Sequence, residues 1–198
     1  MTLSIVASII TGILGGYFFI PESFTPYIDT LIDSALYLLI FCVGIDIGLN
    51  KHIFKDLKKH SLIILVVPTS IIAGSLIGGL IGGYIFHIPK NLSLAISSGF
   101  GWYSLSGIIL TQLHSAEIGT IAFLTNIFRE LITVVSIPFI AKYLNDYTAI
   151  APAGATSMDS TLPIISKYTN PETVVIAFIN GILLSGLVPI LVPFFYSI

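Results

Sequence analysis

Four stretches of this chain carry no Asp, Glu, Lys or Arg: residues 1 to 21, 60 to 86, 91 to 116 and 173 to 198. An apolar run of about 20 residues, rising ~1.5 Å per residue as a helix, crosses the ~30 Å hydrocarbon core of a bilayer. The remaining residues cannot make a wettable surface. Only 9% of the 198 residues are charged and 55% are hydrophobic, with a mean hydropathy of +1.00, whereas a soluble domain carries roughly 25% charged residues. The chain reads as one all-α polytopic transmembrane domain over residues 1–198. The net charge of -2 and the lack of a basic patch give no support to a nucleic-acid partner. The single cysteine, Cys42, has no intrachain partner and reads as a small buried hydrophobe. The N-terminus lacks the basic region of a secretory signal, so residues 3 to 20 are expected to be a retained helix.

Punctuation divides the chain into seven apolar segments. Residues 3 to 20 stop at Pro21 and carry Gly12, Gly15 and Gly16, and residues 32 to 49 follow a short acidic loop. The loop from Lys51 to His60 holds four of the eight Lys and Arg residues. Short loops rich in basic residues stay on the cytoplasmic side, which puts the N-terminus inside. Residues 61 to 86 carry Gly74, Gly78, Gly79, Gly82 and Gly83, a small face suited to close helix crossing.

The next segment is unlike a simple span. Residues 97 to 107 contain three glycines and four serines, and residues 152 to 163 run Pro-Ala-Gly-Ala-Thr-Ser-Met-Asp-Ser-Thr-Leu-Pro. Unwound backbone facing lipid leaves unpaired polar groups, so such stretches belong where they line a polar cavity. The expectation is five transmembrane helices plus two broken or re-entrant segments, residues 91 to 111 and 149 to 168, in an inverted-repeat-like transporter core. Seven crossings are the alternative. The basic residues Lys142 and Lys167 favour five, and both arrangements put the C-terminus outside.

Ionisable groups inside a bilayer are costly and mark function. Arg129 and Glu130 lie near the middle of segment 117 to 143, with Asn126 and Thr133 extending the polar face. Adjacent helical residues do not face each other, so each needs its own partner across the bundle. A purely structural buried ion pair is the plainer account. Asp159, among Ser157, Ser160 and Thr161, sits where a break exposes backbone groups, although it could simply cap the helix that follows. Asp46 lies near the cytoplasmic end of its segment and is either a cavity group or an interfacial carboxylate. Trp102 and Tyr103, flanked by Ser104 and Ser106, are ordinary interfacial aromatics or the wall of a pocket that holds an ammonium or alkyl chain. The last segment carries Asn180 and Gly181 inside it, with Pro189 and Pro193 towards its end. No metalloprotease, hydrolase-elbow, phosphate-loop or cysteine-pair motif is present, and no metal or other cofactor is implied.

Three motifs carry a resemblance: Ser98-Gly-Phe-Gly-Trp-Tyr-Ser-Leu-Ser-Gly107, Phe128-Arg-Glu-Leu-Ile132, and Gly154-Ala-Thr-Ser-Met-Asp159 followed by Thr161-Leu-Pro163. In this order they are similar to the signatures of the LysO family of lysine exporters, over essentially the whole chain. The resemblance implies that Glu130 is the intramembrane glutamate on which transport depends, with Arg129 its neighbour and Asp159 on the second broken segment. Asp46, within Val43-Gly44-Ile45-Asp46, is a weaker correspondence. Full-length family members carry further transmembrane segments ahead of the part this chain resembles. A small separately encoded membrane partner or a homodimer is therefore expected to complete the wall.

The function implied is secondary export of L-lysine or a related cationic amino acid across a prokaryotic cytoplasmic membrane, by proton antiport. Glu130 would alternate between a proton and a substrate ammonium, with Asp159 assisting. A channel-like or structural subunit of a heteromeric membrane complex is the alternative. An enzyme is not expected, because no nucleophile and base pair up.

Overall fold

A computed structural model describes residues 61–198 continuously and, ahead of them, residues 11–12, 14–18, 21, 27, 30–31, 34, 38 and 45. Six α-helices occupy the continuous part: α1 (Ser61–Ile85), α2 (Lys90–Ser97), α3 (Tyr103–Leu113), α4 (Ala116–Tyr143), α5 (Leu162–Tyr168) and α6 (Pro171–Tyr196). Two 3-10 turns, Thr148–Ile150 and Gly154–Met158, lie between α4 and α5.

Local chemistry sets the helix ends. Ser115 accepts a hydrogen bond from the Ile118 amide and caps α4, and Asn170 accepts one from the Thr173 amide and caps α6. Glu117 and Glu172 lie in the first turns of these helices and Lys142 lies in the last turn of α4, each matched to the helix dipole. Pro68, Pro138, Pro189 and Pro193 stand inside long helices. Membrane helices tolerate this where neighbours satisfy the freed carbonyls.

Three helices among the described residues are long and apolar enough to cross a membrane: α1, α4 and α6. The expectation of five transmembrane helices plus two broken or re-entrant segments in an inverted-repeat-like core, with seven crossings as the alternative, is corrected by this. The segments 91 to 111 and 149 to 168 are built of short pieces. Helices α2, α3 and α5 have 8, 11 and 7 residues, and at ~1.5 Å per residue none alone reaches across ~30 Å. They fold against the long helices instead. The expected spans 3 to 20 and 32 to 49, and the lysine loop 51 to 60, fall outside the described residues save for positions 11–12 and 14–18, which are helical, and 34, 38 and 45.

Helix α6 is the packing centre, touching α1, α2, α3, α5 and the turn Gly154–Met158. Helix α4 packs on α3, α2, α5 and the turn Thr148–Ile150. Between them lies an apolar core that includes Phe100, Leu110, Ile137, Ile150, Ile165, Ile176 and Leu184, all buried. Among the described residues nothing covers Leu62, Leu65, Ile77, Ile81 and Tyr84 of α1, which are exposed.

Candidate functional site

The two interruptions meet, and their meeting places the candidate residues. Between α2 and α3 the chain turns through Phe100 at φ 47° and Gly101 at φ 103°. A left-handed phenylalanine is strained, and it persists only when its surroundings hold it. Here the ring is fully buried and the Phe100 carbonyl accepts the Ala155 amide at 2.8 Å, tying the first break to the second. Gly154 stands at φ 60°, and a Cβ there would collide with the same Phe100 carbonyl oxygen. Only glycine fits that position without moving the junction.

Side chains from α4 and α6 brace the junction from either side. Asn126 accepts the Gly101 amide at 2.7 Å and donates to Ser106 Oγ at 3.2 Å and to the Ala122 carbonyl at 2.9 Å. Asn180 donates to the Gly154 carbonyl and to Ser157 Oγ, each at 3.0 Å, and Ser157 Oγ donates to the Ala177 carbonyl at 2.7 Å. Asn126, Ser106, Ser157 and Asn180 are all buried. Asn126 and Asn180 thus satisfy the Gly101 amide and the Gly154 carbonyl at the breaks, and Ser106 and Ser157 hold those amide side chains in place.

Arg129 and Glu130, one residue apart on α4, point into different places. Glu130 accepts a hydrogen bond from the Ser160 hydroxyl, and Ser160 also meets Asp159, whose Oδ1 accepts the Ser160 amide at 2.6 Å. Glu130, Asp159 and Ser160 line one cavity of about 230 Å³ together with Trp102, Tyr103 and Ser104. This is smaller than the ~300–1,000 Å³ of sites for drug-sized ligands and suits a compact solute. Trp102 and Tyr103 are partly exposed there, and the Tyr103 ring is held edge-on by Phe123 at 5.4 Å.

Arg129 faces the opposite side. Its guanidinium donates to the Pro152 carbonyl at 2.9 Å, to Ser75 Oγ of α1 at 2.8 Å and to the Ala151 carbonyl at 3.3 Å. It lines the cleft against α1, and the cavity that holds Glu130 does not include it. The two residues form no mutual ion pair, as their 100° separation around the helix requires. Asp46 lies outside the described residues. Among the described residues no group of three or more His, Cys, Asp or Glu side chains could hold a metal ion.

Sequence reasoning missed Thr156, Met158 and Ser185, which complete the wall of the Glu130 cavity, and Ser75, which holds Arg129. Ser75 had a signal: it is a lone hydroxyl inside the glycine-rich run of α1, and Ser185 stands likewise in the apolar run of α6. Met158 had none, because its place depends on Gly181, where a Cβ would collide with the Met158 side chain.

The sequence profile of one protein family, described as lysine exporter LysO, matches residues 6–196. Over 165 residues, 82% of this chain, it is 43% identical to the "Lysine exporter LysO" of Escherichia coli (strain K12), of which the match spans 54%. It is 39% identical, again over 82% of its length, to a "Putative lysine exporter" of Haemophilus influenzae (strain ATCC 51907 / DSM 11121 / KW20 / Rd), covering 83% of that protein. The chain therefore spans about half the length of the first of these relatives. No solved structure matches it.

Proposed function

The chain belongs to the LysO family of lysine exporters, and we propose that it carries L-lysine or a related cationic amino acid outward across the cytoplasmic membrane in exchange for a proton. Family membership makes it a multi-pass membrane protein and sets it apart from enzymes. The observation that carries the proposal is the pair of carboxylates, Glu130 and Asp159, brought together by Ser160 in one small cavity.

Two carboxylates at one hydroxyl repel each other in surroundings poor in water. Either a proton or an ammonium group relieves that repulsion, so the two cations compete for one place. Trp102 and Tyr103 offer ring faces to an ammonium or to the methylenes of a lysine side chain, and Ser104 offers a hydroxyl. In this scheme Glu130 is the exchanging group, Asp159 assists, and Ser160 positions both. Asn126, Ser106, Ser157 and Asn180 hold the junction that shapes the cavity.

The orientation proposed, N-terminus inside and C-terminus outside, rests on the basic loop 51 to 60. The working form proposed is a homodimer, with a small membrane partner as the other candidate. Among the described residues a Cβ at Gly74, Gly78 or Gly82 would meet nothing, whereas one at Gly79 or Gly83 would strike Ser97 or Ser93 of α2. The stripe Gly79–Gly83 is therefore used inside the protomer, and the stripe Gly74–Gly78–Gly82 is open to a second helix.

The direct test is counterflow in vesicles containing this chain. Internal unlabelled lysine should accelerate entry of labelled lysine, with ornithine and arginine competing. A channel gives no counterflow, because only a site that alternates between faces exchanges one molecule for another. Absence of counterflow for all three amino acids rejects export by this chain alone.

A further inference from the structure

The cleft on the other face of α4 is the second large cavity system. It extends over about 800 Å³ between α1, α2 and α4, from His87 and Glu117 near the helix ends to Arg129 near the middle of α4. A neighbouring space of about 880 Å³ opens on Arg129 from the side of Ser70 and Gly74. Arg129 and Thr125 line both.

A guanidinium has five N–H donors. Three are used here, on Pro152, Ala151 and Ser75, and all three acceptors are neutral. Among the described residues no carboxylate balances the charge. The two remaining N–H groups are one on each terminal nitrogen, enough for the two oxygens of a carboxylate. A cation in surroundings poor in water attracts an anion strongly, and the cleft reaches it with room to spare.

We propose that Arg129 is an anion seat, separate from the Glu130–Asp159 cavity, and that it takes a carboxylate or a similarly small monovalent anion through the cleft between α1 and α4. The inference rests on the transport reading only for the source of that anion. One source is the carboxylate of an amino-acid cargo, held there at a different stage from its ammonium's stay in the Glu130 cavity. Alternatively, an inorganic anion such as chloride resides there and neutralises the guanidinium.

The experiment is thermal unfolding of the purified full chain in detergent, titrated with acetate or chloride against gluconate at constant ionic strength. The wild-type midpoint should rise saturably with acetate or chloride. In Arg129→Gln the rise should vanish. Arg129 also holds the Pro152 and Ala151 carbonyls, so Thr125→Phe supplies an arm that does not depend on Arg129→Gln folding. It narrows the approach to Arg129, breaks none of its hydrogen bonds, and should raise the half-saturating concentration by more than about tenfold, equivalent to ~1.4 kcal/mol. Glu130→Gln should keep the response, so failure of the lysine reading leaves this arm intact.

Lysine and lysinamide separate the sources. A cargo carboxylate predicts that lysine displaces acetate while lysinamide does not. An inorganic occupant predicts that chloride stabilises while neither amino compound displaces it. No saturable response to acetate or chloride in the wild type, or an equal response in Thr125→Phe, overturns the proposal.

Discussion

At the scale of single residues, polar side chains near the middle of apolar segments do two kinds of work. Asn126 and Asn180 satisfy backbone, whereas Glu130, Asp159 and Ser160 line an opening. The sequence marked all of these as unusual for hydrocarbon, because an ionisable or amide group there needs a reason. It could not sort them. Which side of α4 a residue faces follows from 100° steps, but what waits on each side depends on two breaks distant in sequence. Asn126→Ala should therefore leave the Gly101 amide unpaired and lower stability by ~1–3 kcal/mol, read as an earlier unfolding midpoint in detergent. Gly154→Ala should be at least as damaging, since the left-handed backbone and the Phe100 carbonyl both exclude a Cβ. A Gly154→Ala protein melting with the wild type would show that the junction is loose.

Among elements, the long helices were legible and the short ones were not. The uncharged runs led directly to α1 and α6, and α4 was read from the apolar segment 117 to 143 around Arg129 and Glu130. Glycine, serine and proline located both interruptions, yet the pieces on either side are too short to be counted as crossings, and among the described residues three helices are long enough to span. Apolar content alone cannot tell a span from a short helix packed within the bundle. The connection after α4 shows a further element-level contact. Tyr147 donates to Glu172 at 3.1 Å and Asn170 donates to Asp146 at 2.6 Å, fastening the loop to the start of α6. Partial burial, then the hydrogen bond and charge of Glu172, then the charge of Asp146, push the Tyr147 phenol above its ordinary value of 10.0. A phenol titrating later when folded adds stability that is complete below that value and lost as pH rises through the raised one. The midpoint difference between wild type and Tyr147→Phe should therefore shrink from pH ~8 to pH ~11. A difference that is constant or widens over that range removes this contact from the account.

For the whole molecule, the legible part was that a lipid-embedded bundle encloses an unwound, polar interior. The illegible part was that the interior has two sides, one acidic and one carrying Arg129, divided by the junction of Phe100 with Ala155. Assembly belongs to this scale as well. Because a Cβ at Gly78 meets nothing among the described residues, Gly78→Leu should fold normally and shift the purified protein from dimer towards monomer in mild detergent. An unchanged dimer would place the contact on another face, and a wild type that is monomeric would remove it.

The central claim is that one acidic cavity exchanges an ammonium for a proton, and it is tested most directly by lysine-driven proton movement in vesicles. Wild-type vesicles loaded with lysine and diluted into lysine-free buffer should acidify inside as lysine leaves. Glu130→Gln vesicles should show acidification and lysine efflux both reduced by more than about tenfold, since removing one partner from a buried charged contact costs ~2–5 kcal/mol, while the unfolding midpoint stays close to that of the wild type. Lysine-driven acidification that persists undiminished in a folded Glu130→Gln protein would contradict the account.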